Sequence, residues 1–339
     1  MSWNRQLPSP DANQTSALGD SLPDGRGRVN IAASPFGPQI TITRAKEQPL
    51  SILQLIASGM MSYELAAQLW LYVEGLGARP ANIIISGGPG VGKTTLLNAL
   101  LSFIPWSDRL VVIEDTLELD THFLENCARL ESDRRVNMAA LVKNSLRMRP
   151  DRIIVGEVRG EEAQDLMTAV SVGKYCLGTL HASTARETII RMQNWPMNVP
   201  EMLVNLVDVF IILQRLRIDG KVTRVISEVV ETAGMEQKVV LLSPVWAYDY
   251  EGRQVQQVSP SSIYRDKVAK AMGCQPVQIM QEASRRAKVL RMLHTKPEMA
   301  KVEEVTRFCQ RYSQNPDEAL AQLGTSTKAL DVTVSYKVV

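Results

Sequence analysis

The stretch Gly87-Gly88-Pro89-Gly90-Val91-Gly92-Lys93-Thr94-Thr95 has the form G-x-x-x-x-G-K-[ST] and follows directly on the apolar run Asn82-Ile83-Ile84-Ile85-Ser86. This spacing predicts a buried strand, a tight loop and a helix, with the backbone N–H groups of the loop turned toward a phosphate. The helix N-terminus adds its dipole at the same point, and Leu96, Leu97 and Leu100 give the helix an apolar face to bury. Lys93 is placed to reach the β and γ phosphates of a nucleoside triphosphate. The Thr94 hydroxyl is the expected ligand of Mg²⁺, which takes hard oxygens and shares its octahedron with phosphate and water. All nine residues of the loop, Gly87 to Thr95, are therefore expected to bind the nucleotide.

A carboxylate at the end of a neighbouring buried strand is then needed to hold Mg²⁺ or to activate water. Two segments offer one. Leu110-Val111-Val112-Ile113 runs into Glu114, Asp115 and Glu118, and Arg152-Ile153-Ile154-Val155 runs into Gly156-Glu157-Val158-Arg159-Gly160. Strands of a parallel sheet read as continuous apolar runs and bind ligands beyond their carboxyl ends, where Glu118 and Glu157 would lie. Glu114 reads equally well as a charged strand end in a solvated loop, whereas Glu157, set between two glycines, reads as a site residue. A third short run, Cys176-Leu177-Gly178-Thr179-Leu180, ends at His181, one of three histidines in the chain. On the residues alone, a histidine there serves equally well as a γ-phosphate sensor or as a structural group.

Composition narrows the class. A length of 339 residues suggests about two domains, and 45% apolar residues is ordinary for a globular protein. The net charge of +2 makes no electrostatic case for nucleic acid or a membrane surface, so no direct nucleic-acid partner is expected. Cys127, Cys176, Cys274 and Cys309 stand singly, which excludes a zinc module on spacing and fits a reducing cytoplasm. The start Met1-Ser2-Trp3-Asn4-Arg5 lacks an apolar signal core, and the longest apolar run, 204–213, is broken by Asn205 and Asp208 and is too short to span a bilayer. A soluble, cytoplasmic chain that meets a membrane only through partners is expected.

Breakers divide the chain. Residues 1–28 are rich in Pro, Ser, Gly, Asp and Asn and are expected to be a flexible tail. Gln39-Ile40-Thr41-Ile42-Thr43 alternates like a strand, and residues 51–76 carry apolar positions at helical spacing broken at Gly59, a linker of two helices. From 78 to about 245, short apolar runs alternate with helical segments, the pattern of a parallel sheet with crossovers, which Phe210-Ile211-Ile212-Leu213 and the run from Arg224 to Val230 are expected to continue. Residues 246–325 are expected to be helical: Ser261 or Ser262 caps a helix ending at Gly273, and Pro276, Pro297 and Pro316 begin three more. Their apolar stripes are expected to form a core of their own. Residues 326–339 are a tail in which Val332-Thr333-Val334-Ser335-Tyr336-Lys337-Val338 alternates like a strand.

The blocks at 87–95, 113–119, 141–160 and 178–182, in this order and at this spacing, resemble the type II/IV secretion and pilus-assembly ATPases, whose Walker A, Asp box, Walker B and His box they match. The third block is most similar to the tight-adherence pilus branch, and residues 264–323 to the helical C-terminal portion of archaeal pilus and archaellum motor ATPases. The resemblance implies an α/β fold: a RecA-like P-loop NTPase core with a parallel sheet, preceded by a partial N-terminal lobe and helical linker (29–77) and followed by the all-helical region. It implies ATP and Mg²⁺ as cofactors. Glu157 and Glu118 would share the Mg²⁺ shell and the polarising of water, the base being either, and His181 would sense the γ phosphate. Arg129, Arg134, Arg135 and Arg147 lie where such ATPases place arginines that approach phosphate from a neighbouring lobe or subunit, a task suited to a planar guanidinium. Arg28 and Arg44 fall where the N-terminal lobe offers basic residues to the nucleotide.

Two departures from the family pattern stand out. Lys174 occupies a position where relatives commonly carry a first histidine, and before the linker there is room for only the last strands of the usual N-terminal lobe. The reading that follows is a cytoplasmic ring ATPase, a homo-hexamer, driving assembly or secretion of a pilus-like filament through an inner-membrane platform protein. Its rivals are a conjugation-type secretion ATPase and a nucleotide-dependent scaffold with little turnover.

Overall fold

A computed structural model describes residues 17–21, 27–32, 37–44 and 48–330. The strands β1 (Ala17–Ser21), β2 (Gly27–Ala32) and β3 (Gln39–Arg44) form an antiparallel sheet of their own. The tail expected over 1–28 therefore already contains one strand and the start of another. The ladder between β1 and β2 is made by backbone groups, which a composition argument does not register. The strand expected at 332–338 lies outside the described residues.

The linker is two helices, α1 (Ile52–Ala57) and α2 (Tyr63–Glu74). Ser51 and Gln54 form a reciprocal capping box at the first, Ser62 caps the second, and Gly75 ends it in the left-handed conformation at φ 62°. The core follows as β4 (Ile83–Gly87), α3 (Lys93–Leu100), β5 (Leu110–Glu114), β6 (Cys127–Glu131), α4 (Met138–Ser145), β7 (Arg152–Val155), α5 (Glu162–Ser171), β8 (Tyr175–Leu180), α6 (Ala185–Gln193), α7 (Glu201–Val204) and β9 (Val209–Ile218). These six strands are parallel to one another in the order β9-β4-β8-β7-β5-β6.

The sheet does not continue in parallel. Strands β10 (Lys221–Glu236), β11 (Val239–Asp249) and β12 (Gln254–Gln257) extend it from β9 as antiparallel hairpins. The reason is local: Asp219-Gly220 and Gln237-Lys238 are two-residue turns with positive φ at both positions, 49° and 79° in the first and 44° and 69° in the second, which return the chain beside itself. Asp-Gly was legible in the sequence as a hairpin signal. The boundary expected at 245/246 accordingly falls inside β11, and the helical region begins at α8 (Ile263–Met272).

That region continues as α9 (Pro276–His294), α10 (Val302–Gln314), α11 (Pro316–Ala321) and α12 (Thr327–Leu330). Pro276 and Pro316 stand in first helical turns, whereas Pro297 opens a single 3₁₀ turn before α10. Ser262 stands at the N-cap of α8, but neither candidate serine caps it through its side chain. Glu231 of β10 accepts from the Ile263 and Tyr264 N–H groups at 3.1 and 3.0 Å, and Ser261 instead donates to that same carboxylate.

The C-terminal stripes do not form a separate core. One apolar cluster joins Leu290 and Leu293 of α9 and Phe308 and Tyr312 of α10 to Trp70 of the linker, Leu97 of α3, and Ile83 and Ile85 of β4. A second cluster on the other side takes Ile84, Val111, Ile153 and Phe210 with α4, α5 and α6. Successive strand residues point to opposite faces, and a parallel sheet must be covered on both. Linker and C-terminal helices together cover the first face. Trp70 sits at their junction, stacked on Phe103 at 5.2 Å and tilted against Tyr312 at 5.1 Å.

Candidate nucleotide site

Four neighbouring strands end at one place. In the order β4-β8-β7-β5 their carboxyl ends carry the phosphate loop, His181, Glu157 and the loop to Glu118, so four blocks spread over about a hundred residues meet at one edge. The loop needs its glycines: a Cβ on Gly87 would stand 2.7 Å from the Leu213 carbonyl oxygen, and Gly92 has φ 99°.

Lys93 starts α3 and is buried, donating from Nζ to the Gly87 and Gly88 carbonyls at 3.0 and 3.1 Å. Its ammonium is also 3.3 Å from His181 Nδ1. His181 Nε2 lies 2.7 Å from Glu157 Oε1, a buried oxygen that makes no hydrogen bond. Glu157 Oε2 is held by Arg159, whose other arm reaches Asp115 at 3.1 Å. Thr94 Oγ1 lies 3.4 Å from Glu118 Oε2, while Thr95 follows in the first turn of α3.

The electrostatics follow from this crowding. Burial lowers the proton affinity of Lys93, with Arg159 acting in the same sense and Glu157 and Glu118 opposing. Burial pushes the Glu157 carboxyl up, but Arg159, His181 and Lys93 outweigh it and hold it below the ordinary glutamate value. His181 is lowered by burial and by the neighbouring cations against the pull of Glu157, so it is neutral at neutral pH.

Glu114 has a separate task. Its buried carboxylate accepts from the Glu118 and Leu119 N–H groups at 2.9 Å each and so shapes the acidic loop. Arg129 ties the same unit together, reaching Glu114 Oε2 at 3.5 Å and the Leu119 carbonyl at 2.7 Å. Gly156 is required by this packing, since a Cβ there would lie 2.9 Å from Glu114 Cγ. Thr179 Oγ1 donates to the Gly156 carbonyl at 2.6 Å and steadies the turn before Glu157.

The remaining candidates are not at this focus. Arg134 and Arg135 are exposed in the turn after β6, and Arg147 is exposed after α4. The side chains of Arg28 and Arg44 are outside the described residues. Lys174 precedes β8 and His181 follows it, so the two stand at opposite ends of the strand, about 23 Å apart at 3.3 Å per residue. A histidine at 174 would not pair with His181 within one chain. Arg159 and its bond to Asp115 were not anticipated, although Arg159 stands two residues after Glu157 and could have been suspected from that spacing.

The model of the family described as type II/IV secretion system protein matches residues 14–336. The uncharacterized protein MJ0900 of Methanocaldococcus jannaschii is 35% identical over 297 residues, covering 84% of this chain and 53% of that protein. The chain thus spans about half the length of that relative. The conjugal transfer protein TrbB of Rhizobium radiobacter is 33% identical over 239 residues, covering 67% of this chain and 71% of that protein. Among solved structures, the VirB11 ATPase of the Brucella suis type IV secretion system, in complex with sulphate, is 28% identical over 63% of this chain and 73% of that one, with a TM-score of 0.43. The family match takes in the strands, the phosphate loop and all the acidic and histidine blocks that meet at the sheet edge: the chain belongs to the type II/IV secretion system protein family.

Proposed function

We propose that the chain hydrolyses ATP and, as a ring of identical subunits, a hexamer by its family resemblance, drives a secretion or filament-assembly machine of the pilus or archaellum type through an inner-membrane platform protein. The observation that supports the chemistry is the convergence of Lys93, Thr94, Glu118, Glu157 and His181 at the ends of adjacent parallel strands. Lys93 neutralises charge on the β and γ phosphates. Glu157, ionised and with one oxygen lacking a hydrogen-bond partner, orients the attacking water, and neutral His181 offers a ring nitrogen to the γ phosphate.

The donor set fits Mg²⁺. A threonine hydroxyl and the carboxylates of Glu118 and Glu157 are hard oxygens, and no cluster of three or more His, Cys, Asp or Glu among the described residues is arranged to hold a metal alone, so phosphate and water would complete the shell. When bound there, the ion supplies charge stabilisation to the transferring phosphoryl group. No helix among the described residues is long and apolar enough to cross a membrane, so membrane contact is assigned to partners.

Of the exposed arginines Arg134, Arg135 and Arg147, the one expected from a neighbouring subunit is Arg134 or Arg135, which lie between the acidic loop and α4, while Arg129 is engaged by its own chain. Such a group is worth about 10³-fold or more in rate and cannot act in an isolated subunit. Steady-state ATPase activity of the purified chain should therefore rise per subunit with protein concentration. Mixing the deficient arginine variant with Lys93→Ala protein should restore part of the rate. Activity independent of concentration while light scattering shows monomers assembling would sink the ring reading, and no turnover at all would favour a scaffold. A conjugation-type role is the second reading, favoured by the similarity to the conjugal transfer protein. A neighbouring gene set of prepilins and a polytopic platform protein supports the first reading, and a conjugation cluster the second.

A further inference from the structure

Strand β9 pairs with β4 as far as Leu213, opposite Gly87, and then runs on past the phosphate loop as a hairpin with β10. On the returning strand, Arg224 donates from Nε to the Gly90 carbonyl at 2.9 Å. Its Cδ lies 3.5 Å from where a Cβ on Gly92 would stand, and so does Met60 Cε from the linker. Two residues beyond Arg224, the Ile226 N–H donates to the Met60 carbonyl at 3.1 Å. The loop is thus braced from outside by β10 and by the linker that leads into the core.

The direction of that hydrogen bond matters. In a planar trans peptide the C=O and the following N–H point to opposite sides. With the Gly90 carbonyl turned out toward Arg224, the N–H of Val91 is turned into the loop, where a phosphate would be met. Gly90 has φ 68°, a conformation open to glycine, and its peptide can rotate at little cost unless something holds it. Charge alone does not account for the placement of Arg224. Arg215 is directly opposite it on β9, both side chains are exposed, and like charges in that position repel.

We propose that Arg224 is a positioning residue of the nucleotide site: by holding the Gly90 carbonyl outward it presets the Val91 N–H for phosphate, so that the loop binds without reorganising. The inference rests on the phosphate-loop reading above. Its consequence is a hydrogen-bond requirement, not a charge requirement, at residue 224, and isosteres separate the two. A glutamine amide nitrogen stands where the arginine Nε stood and keeps the donor without the charge. A lysine keeps the charge with only a methylene at that point.

The test is equilibrium binding of a fluorescent ADP analogue to the full chain, with melting curves to show that each variant is folded. Wild type should bind and Lys93→Ala should not; if wild type fails to bind, or Lys93→Ala binds normally, it is the site reading that falls. Given that control, Arg224→Ala and Arg224→Lys should each weaken binding about tenfold, the scale of a hydrogen bond involving a charged group, while Arg224→Gln stays within about threefold of wild type. Arg215→Ala should bind like wild type, and in turnover Arg224→Ala should raise KM with little change in kcat. Rescue by lysine and not by glutamine, a loss in Arg215→Ala as large as in Arg224→Ala, or an Arg224→Ala that binds normally would each overturn the proposal.

Discussion

Glu74 of α2 and Arg286 of α9 form an ion pair in which the side chains are only 3% and 2% exposed, and it joins the linker to the C-terminal helices. Arg286 has a second carboxylate, Glu282, 2.9 Å from its Nε, and its guanidinium lies 4.6 Å from the Trp70 ring centre and 5.5 Å from that of Tyr312. Removing one partner of a buried pair costs about 3–5 kcal/mol, because the other charge stays behind without compensation. Glu74→Gln leaves Arg286 with Glu282, so the low end applies, about 3 kcal/mol. At about 2–4 °C per kcal/mol for domains of this size, that lowers Tm by about 6–12 °C. Arg286→Met also removes the cation over Trp70 and leaves Glu74 buried, and should lie toward the upper end, about 4–5 kcal/mol. Replacing both, Glu74→Leu with Arg286→Met, should cost clearly less than the sum, since an apolar pair of similar volume leaves no charge uncompensated. Differential scanning fluorimetry at one protein concentration reads all three. Singles that each shift Tm by under about 2 °C, or a double that equals their sum, would refute the reasoning.

Further outcomes are expected at the sheet edge. Lys93→Ala should abolish nucleotide binding, while Glu157→Gln should bind and lose hydrolysis by about 10²-fold or more; near wild-type turnover in Glu157→Gln would hand the role to Glu118. His181→Ala should lower kcat with little change in nucleotide affinity, and Lys174→His, at the far end of β8, should be tolerated; the reverse pattern would undo the assignment. His122 is held by Asp120 on its own loop and by Glu303 of α10 at 2.9 Å, and the Asp120 hydrogen bond, helped by Glu303, raises its pKa above the ordinary histidine value. A raised folded-state value adds stability that is fully present below the unfolded value of about 6.5 and is lost as pH rises through the folded one. The Tm difference between wild type and His122→Ala should therefore be larger near pH 6 than near pH 9, and equal differences at both would exclude the linkage.

The parts whose physics is local could be read from the residues alone. The glycine and lysine spacing from Gly87 to Thr94 announced a tight loop between a strand and a helix, because glycines at those positions permit the turn through local backbone geometry. The apolar runs before Glu118, Glu157 and His181 likewise announced buried strands with polar ends, and Gly273, Pro276 and Pro316 marked helix limits through backbone geometry alone. Asp219-Gly220 was equally local and its hairpin could have been read, but four buried residues at Phe210–Leu213 look the same in parallel and antiparallel pairing.

Tertiary structure decided the rest. That β8 and β7 lie between β4 and β5, bringing His181 and Glu157 to Lys93, depends on how crossovers cover both faces of the sheet, which no window of sequence encodes. The same demand drew the C-terminal helices onto the linker around Trp70, so that stripes expected to make their own core became half of a shared one. It also set Glu231 as the cap of α8 and brought Arg224 to Gly90 across 134 positions of chain. Such contacts join groups with no local spacing to betray them, because they form only after long-range burial has placed their backbones.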